Sequence, residues 1–248
     1  MPDQMIVLEN VSKAFGANRV LRNASLTVLR GEAVVVLGAS GSGKSVTLKT
    51  INGLIQPDSG HVEVLGHRVD DADERKLIPL RRQVSYLFQG GALFDSMSVF
   101  DNLAFPLREH LDLTEDQLEE RVESLLEMVQ LEGIGDKTPS ELSGGMRKRV
   151  ALARALALEP EIILYDEPTT GLDPVTGDAI AELILDLDRR LGVTSVIVTH
   201  DIPLTRKVAD RVVFLADGAF IFSGDVKEAT HDAPAMVRRF FSAGGHDA

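Results

Sequence analysis

The octapeptide GASGSGKS, Gly38 to Ser45, follows the apolar run AVVVL without a break and leads into the helical pattern VTLKTINGL. A strand handed over to a helix through G-x-x-x-x-G-K-S is a loop suited to phosphate. Its glycines let backbone N–H groups converge on an anion with no Cβ in the way, and the helix turns its positive end toward it. No other stretch restricts the fold as much, because it demands a buried strand on one side and a helix on the other. Gly38, Ala39, Ser40, Gly41, Ser42 and Gly43 supply the loop, and Val46 continues the helix. Lys44 is placed to reach β- and γ-phosphates, and Ser45 to offer its hydroxyl to Mg²⁺.

The rest of the chain fits that demand. AVVVLG (33–38), VSYLF (84–88), IILYD (162–166) and SVIVTH (195–200) are almost continuously apolar, as parallel strands buried on both faces are. Helical patterns separate most of them, which is the rhythm of an α/β fold. Earlier, MIVLENV and VLRNASLTVL alternate apolar and polar residues, predicting a half-exposed antiparallel sheet. Between Gln89 and Glu159 the pattern turns helical. There Thr114 and Gln117 have capping-box spacing, and Leu118, Val122, Leu125, Leu126 and Val129 share one face with acidic residues outside it. RVVFLADGAFIFSG predicts a hairpin about Asp217-Gly218, and DAPAMVRRFFS a terminal helix.

Composition excludes several classes. With no cysteine there are no disulfides, thiolate metal sites or cysteine nucleophiles. A net charge of -12 opposes loose association with nucleic acid or anionic lipid. No run approaches the roughly 18 apolar residues of a spanning helix, and MPDQMIVLEN lacks the layout of a secretory signal, so the chain is expected to be cytosolic.

Two further strand ends carry chemistry. IILYDEP delivers Asp166 and Glu167 at the carboxyl end of a buried strand, where α/β proteins place ligands. One carboxylate suits Mg²⁺; the next suits orienting and deprotonating water. SVIVTHD ends in His200, expected on the same rim as a γ-phosphate contact, while the other histidines are read as structural. Gln89, after VSYLF, is placed to bridge nucleotide and helical insert.

The segment ELSGGMRKR (141–149) poses a different problem. Two glycines at a helix start cost roughly 1 kcal/mol each, which implies that something must approach their backbone. Phosphate loop, Gln89, LSGGM, YDEP, Gly171-Leu172-Asp173 and His200, in that order, resemble the ATP-binding subunit of an ABC transporter over essentially the whole chain. The resemblance implies a P-loop NTPase (RecA-like) core with a parallel central sheet, spanning 1–88 and 160–248. It adds an N-terminal antiparallel β subdomain and an inserted α-helical subdomain over 89–159. It also implies that Ser143, Gly144 and Gly145 complete the ATP site of a second copy, an in-trans arrangement consistent with an isologous homodimer. Phe15 would stack on adenine, Gln89 would sense metal and water, Glu167 would be the base, and Asp173 would contact the partner. Phe15, Met146 and Tyr165 depart from the family's usual residues, and Tyr165 is expected to be a half-buried strand tyrosine.

QGGALFDSMSVFDNLAFPL, with Leu93, Phe94, Met97, Val99 and Phe100, reads either as core or as an apolar docking groove for a permease helix. Together with LSGGM and SVTLKTINGL it resembles the ATPases of MCE-linked phospholipid transporters. That implies permease subunits, an MCE-domain component, a STAS-domain partner in some members, and a place on the cytoplasmic face of a bacterial inner membrane. The alternatives are the same motor with another cargo (amino acid, metal chelate or drug), or a soluble ABC ATPase of DNA repair or translation.

Overall fold

The computed structural model describes residues 3–244. In chain order its first half holds β1 (Gln4–Phe15), β2 (Asn18–Leu29), β3 (Ala33–Leu37), α1 (Lys44–Ile51), β4 (Ser59–Val64), β5 (His67–Arg68), α2 (Glu74–Gln83) and β6 (Val84–Leu87). Then come α3 (Val99–His110), α4 (Glu115–Met128), α5 (Gly144–Leu156), β7 (Ile162–Asp166) and α6 (Pro174–Leu191). The chain closes with β8 (Thr194–Thr199), α7 (Ile202–Val208), β9 (Arg211–Ala216), β10 (Ala219–Gly224), α8 (Val226–His231) and α9 (Ala235–Ser242).

Two sheets organise these elements. An antiparallel sheet runs β2-β1-β4-β5, and the central sheet runs β10-β9-β3-β8-β7-β6. In the latter β9, β3, β8, β7 and β6 are parallel and β10 returns antiparallel through a tight turn at Asp217-Gly218. This is the α/β, P-loop NTPase architecture that the sequence led one to expect. Alternate residues of β3 serve two cores. Val34 and Val36 pack with the antiparallel sheet and α1, whereas Val35 and Leu37 pack toward α3–α7. That is why this strand has no polar face to show. The capping box at Thr114 and Gln117 forms as expected, and Leu118, Val122, Leu125 and Leu126 of α4 are buried. Each contributes roughly 1.5–3 kcal/mol relative to exposure. Among the described residues no helix is long and apolar enough to cross a membrane.

Two expectations need correcting. VSYL reads as a strand covered on both faces, yet β6 is the edge of the central sheet and Ser85 and Tyr86 are partly exposed. Tyr165 is not half-buried: it is 0% exposed, among the largest buried side chains. Its position is explained by a polar partner, since its hydroxyl donates to Asp188 Oδ1 of α6 at 3.0 Å. A phenol is satisfied in the interior when its O–H finds such an acceptor.

Asp188 bears the cost of this arrangement. Its Oδ2 is sealed from solvent without a partner, and burial pushes its carboxyl up to about 6, against the favourable influence of the neighbouring Ser195 and Tyr165 hydroxyls and with the Asp210 charge adding to the rise. A raised folded-state value makes the protonated fold the better one. The linked stability is full below the unfolded value near 3.8 and is lost as pH rises through about 6. Relative to Asp188→Asn, the wild type is therefore expected to lose about 1 kcal/mol or more of unfolding free energy between pH 5 and pH 8. Urea denaturation of both proteins at the two pH values measures this, and a constant difference would show that Asp188 ionises normally.

Candidate nucleotide site

The loop of residues 38–43 emerges at the carboxyl end of β3 and α1 begins at Lys44. Gly43, the residue before the helix, has φ 108°, a conformation open to glycine alone at low cost. A Cβ there would also lie 3.0 Å from both Val20 Cγ1 and the Val20 carbonyl oxygen. The Lys44 ammonium donates to the carbonyl oxygens of Gly38 at 2.7 Å and Ala39 at 3.1 Å, and stands 3.6 Å from Glu167 Oε1. Ser45 donates to Asp166 Oδ1 at 2.7 Å. The other Asp166 oxygen accepts from the Tyr86 hydroxyl at 2.8 Å, so the carboxylate is oriented from both sides. Burial and the Asp166 charge drive the Tyr86 phenol strongly upward, keeping it a donor.

Glu167 is the residue most tightly specified. Its backbone sits at φ 49°, a left-handed conformation rare outside glycine and held only where surroundings enforce it. The enforcing bond is its N–H to Val198 O, 2.9 Å. Its carboxylate is nearly buried. Oε2 accepts from Thr170 Oγ1 at 3.1 Å and Thr199 Oγ1 at 3.2 Å, and His200 Nδ1 lies 2.9 Å from it. A phosphate-loop lysine, a hydroxyl-carboxylate pair, a second carboxylate and an imidazole thus converge from β3, β7 and β8.

They line a cleft of about 550 Å³ bounded by Phe15, Val20, Ser40, Gly41, Gly43, Lys44, Ser45, Val46, Gln89, Glu167 and His200. Gly38, Ala39, Ser42 and Asp166 do not line it: the carbonyls of Gly38 and Ala39 hold the Lys44 ammonium, Asp166 holds Ser45, and Ala39 and Ser42 line the neighbouring cavity. Ser143, Gly144, Gly145 and Asp173 are not part of it. Ser143 is the N-cap of α5, its Oγ accepting from Met146 N–H at 3.2 Å. Asp173 caps α6, accepting from Val175 N–H and Thr176 N–H at 3.1 Å and from the Thr176 hydroxyl; these bonds, the Thr176 hydroxyl first, hold its carboxyl below the usual range. The glycine pair has a second reason to exist. A Cβ on Gly145 would meet Thr176 Cγ2 at 2.6 Å, and one on Gly144 would meet Leu172 Cδ2 at 3.3 Å. Met146 packs its side chain on the helical core.

The stretch after Gln89 divides between its two readings. Val99 is fully buried, and Leu93 and Phe100 pack against the core. Phe94 is exposed and meets Phe105 edge-on at 5.2 Å. The Arg154 guanidinium lies 5.5 Å from the Phe94 ring. Phe88, Phe94, Phe105 and Pro106 form the apolar wall of a groove of about 410 Å³.

Val20, Tyr86 and Lys148 belong to the site's structure without any signal in the sequence. As for a cation, no group of three or more His, Cys, Asp or Glu side chains able to hold a metal occurs among the described residues. The Ser45-Asp166 pair is instead the hard-oxygen donor set of Mg²⁺ held mainly through phosphates and water, so the residues fit that ion.

The ABC transporter family model matches residues 21–170. Over 236 residues the chain is 42% identical to the intermembrane phospholipid transport system ATP-binding protein MlaF of Escherichia coli (strain K12), covering 95% of this chain and 88% of that one. It is 40% identical over 237 residues to the probable ribonucleotide transport ATP-binding protein mkl of Mycobacterium bovis, covering 96% of this chain and 66% of that one. Among solved structures, the dimeric post-hydrolysis state of the ATP-binding cassette MJ0796 bound to ADP and Pi superposes with a TM-score of 0.82 at 35% identity, over 90% of this chain and 99% of that one. With the phosphate loop, the strand-end carboxylates and this similarity across nearly its full length, the chain belongs to the ABC transporter family as an ATP-binding, ATP-hydrolysing subunit.

Proposed function

We propose that two copies of this chain form the ATP-driven motor of a membrane transporter that moves phospholipid between membranes. The observation that carries the motor reading is the division of the site. Lys44, Ser45, Asp166, Glu167 and His200 converge on one cleft, whereas Ser143, Gly144 and Gly145 present a helix start elsewhere on the same chain. A helix start fronted by glycine is an anion site, and the γ-phosphate of ATP held by a second copy is the anion it fits. The dimeric MJ0796 cassette supports the same pairing.

In this reading Phe15 stacks on adenine, the N–H groups of residues 40–46 surround the phosphates, and Lys44 meets the β- and γ-oxygens. Lys44 stands beside Glu167, so an arriving γ-phosphate competes for its ammonium and releases the carboxylate toward water. Glu167 Oε then accepts the proton of the attacking water, while His200 contacts the γ-phosphate and steadies Glu167. Ser45 and Asp166, with Gln89 nearby, would hold Mg²⁺, which supplies charge neutralisation of the phosphates. Loss of the γ-phosphate removes the charge bridging the copies, and the interface loosens.

The cargo reading rests on the 42% identity with MlaF. It brings permease subunits, an MCE-domain component facing the lipid path and a STAS-domain partner, with this chain at the cytoplasmic face of a bacterial inner membrane. The mycobacterial relative named for ribonucleotides supports a second cargo. Copurification of the complex from membranes with mass spectrometry of bound small molecules separates them: enriched phospholipid supports the first, and ribonucleotide other than the adenine nucleotide of the motor's own sites, without phospholipid, the second. Phe94 and its groove are assigned to the permease. Phe94→Asp is expected to reduce permease recovery at least about tenfold, as loss of an interface anchor does, with the melting temperature within about 2 °C because Phe94 is exposed. A large drop in melting temperature would return Phe94 to the core.

A further inference from the structure

Outside the cleft, Lys148 is a costly group to bury. Its side chain, on the second turn of α5, is 9% exposed. Its ammonium donates to two main-chain carbonyl oxygens, that of Gln89 and, at 3.5 Å, that of Glu167. Burial pulls it below the ordinary lysine range, while the charges of Glu167 and Asp166 oppose that shift. An apolar side chain would occupy such a place at lower cost. What the ammonium gains is a bridge between the two segments that face the γ-phosphate.

Both carbonyls are informative. Glu167 has the left-handed backbone described above, and that conformation turns its carbonyl toward Lys148 while its carboxylate faces the cleft. Gln89 is exposed and lines the cleft, so its main chain needs an external hold. α5 provides it at successive turns. Beyond Lys148, Ala151 Cβ would stand 3.2 Å from a Cβ on Gly91. Arg154 then donates to the carbonyls of Gly91 at 3.0 Å and Ala92 at 2.7 Å. The loop 89–92 is thus fastened along α5 rather than continuing from the sheet. Lys148 lies on the same helix as Ser143, about 7 Å along the axis.

We propose that Lys148 is a positioning residue: through its two carbonyl bonds it sets the Glu167 carboxylate and Gln89 in register with the start of α5, so that engagement of that helix by a second copy's nucleotide is felt at the chain's own water-activating site. This rests on the roles given to Glu167 and Gln89 in the proposed function.

The test is steady-state Mg-ATP hydrolysis by the full chain, over a range of ATP concentrations, for wild type, Lys148→Met, Lys148→Gln, Lys148→Arg and Glu167→Gln. Lys148→Met is expected to lower kcat at least about tenfold, the scale of a small misplacement of a reacting group. KM for ATP is expected to stay within about threefold, because nothing that touches the nucleotide has been removed. Lys148→Arg, which keeps cation and N–H donors, is expected to return kcat to within about threefold of wild type, a recovery that filling the space alone would not give. Should Lys148→Met fail to fold, Lys148→Gln is read by the same criteria.

Wild-type kcat in Lys148→Met overturns the proposal. So does equal impairment of Met and Arg variants with unchanged melting temperatures. If Glu167→Gln still turns over ATP normally, the assignment of the base fails and this inference falls with it. If Glu167→Gln is inactive and Lys148→Met is normal, only the role of Lys148 falls.

Discussion

Glu167→Gln is expected to lower ATP turnover by at least about a hundredfold, the contribution of a positioned base, while ATP binding persists and the protein accumulates as a dimer. The substitution keeps the size of the side chain and an oxygen able to accept from Thr170 and Thr199. What it removes is the capacity to take a proton. Binding is carried by the loop and Lys44, and the substitution removes a carboxylate that stands 3.6 Å from the Lys44 ammonium and competes with phosphate for it. With the γ-phosphate retained, the charge that joins the copies stays in place. Size-exclusion chromatography with ATP, beside a phosphate-release assay, reads both effects. Normal turnover by this variant would remove Glu167 as the base.

Ser143→Arg is expected to abolish turnover while the dilute monomer binds ATP within about threefold of wild type, because Ser143 lies outside the chain's own cleft and a bulky cation at the start of α5 keeps a second copy's nucleotide away. The change also removes an N-cap, at a cost of about 1 kcal/mol, and lowers the melting temperature by roughly 2–4 °C. Ser143→Ala loses the same cap without obstructing the helix start, so its melting temperature isolates the stability effect of losing the cap. If monomer affinity for ATP collapses in the arginine variant, the in-trans assignment is wrong.

The parts of this molecule that could be read from the chain are those whose chemistry is local. A phosphate loop is eight consecutive residues, and the ends of β7 and β8 announce themselves by a polar residue after an apolar run. The missed elements lack such a stripe. α2 reads ERKLIPLRRQ, buries only Leu77 and Leu80 and has Pro79 inside it, so charge hides its amphipathicity. β6 is apolar enough for the interior, and only the strand order reveals it as an edge. Contacts between distant residues are likewise silent. Tyr86 reaches Asp166 across 80 residues, and Lys148 reaches Gln89 across 59. Neither spacing is a pattern that any local period would favour. The glycine pair invites an expectation of an anion at its backbone, whereas its crowding against Thr176 and Leu172 has no sign in the sequence, because that depends on how α5 and the start of α6 cross.

That crossing has a mechanical consequence. The Asp173 carboxylate fixes the Thr176 hydroxyl, which leaves the Thr176 methyl wedged against the bare backbone of Gly145. The turn that ends in Asp173 and the turn that begins at Ser143 are therefore seated on each other, and neither can tilt without dislodging its neighbour. In a pair of copies the face each one offers would behave as a single stamped die instead of two separately sprung fingers. Grip and release at its two rims would then be one event, and a half-closed grasp would have no stable shape to settle into.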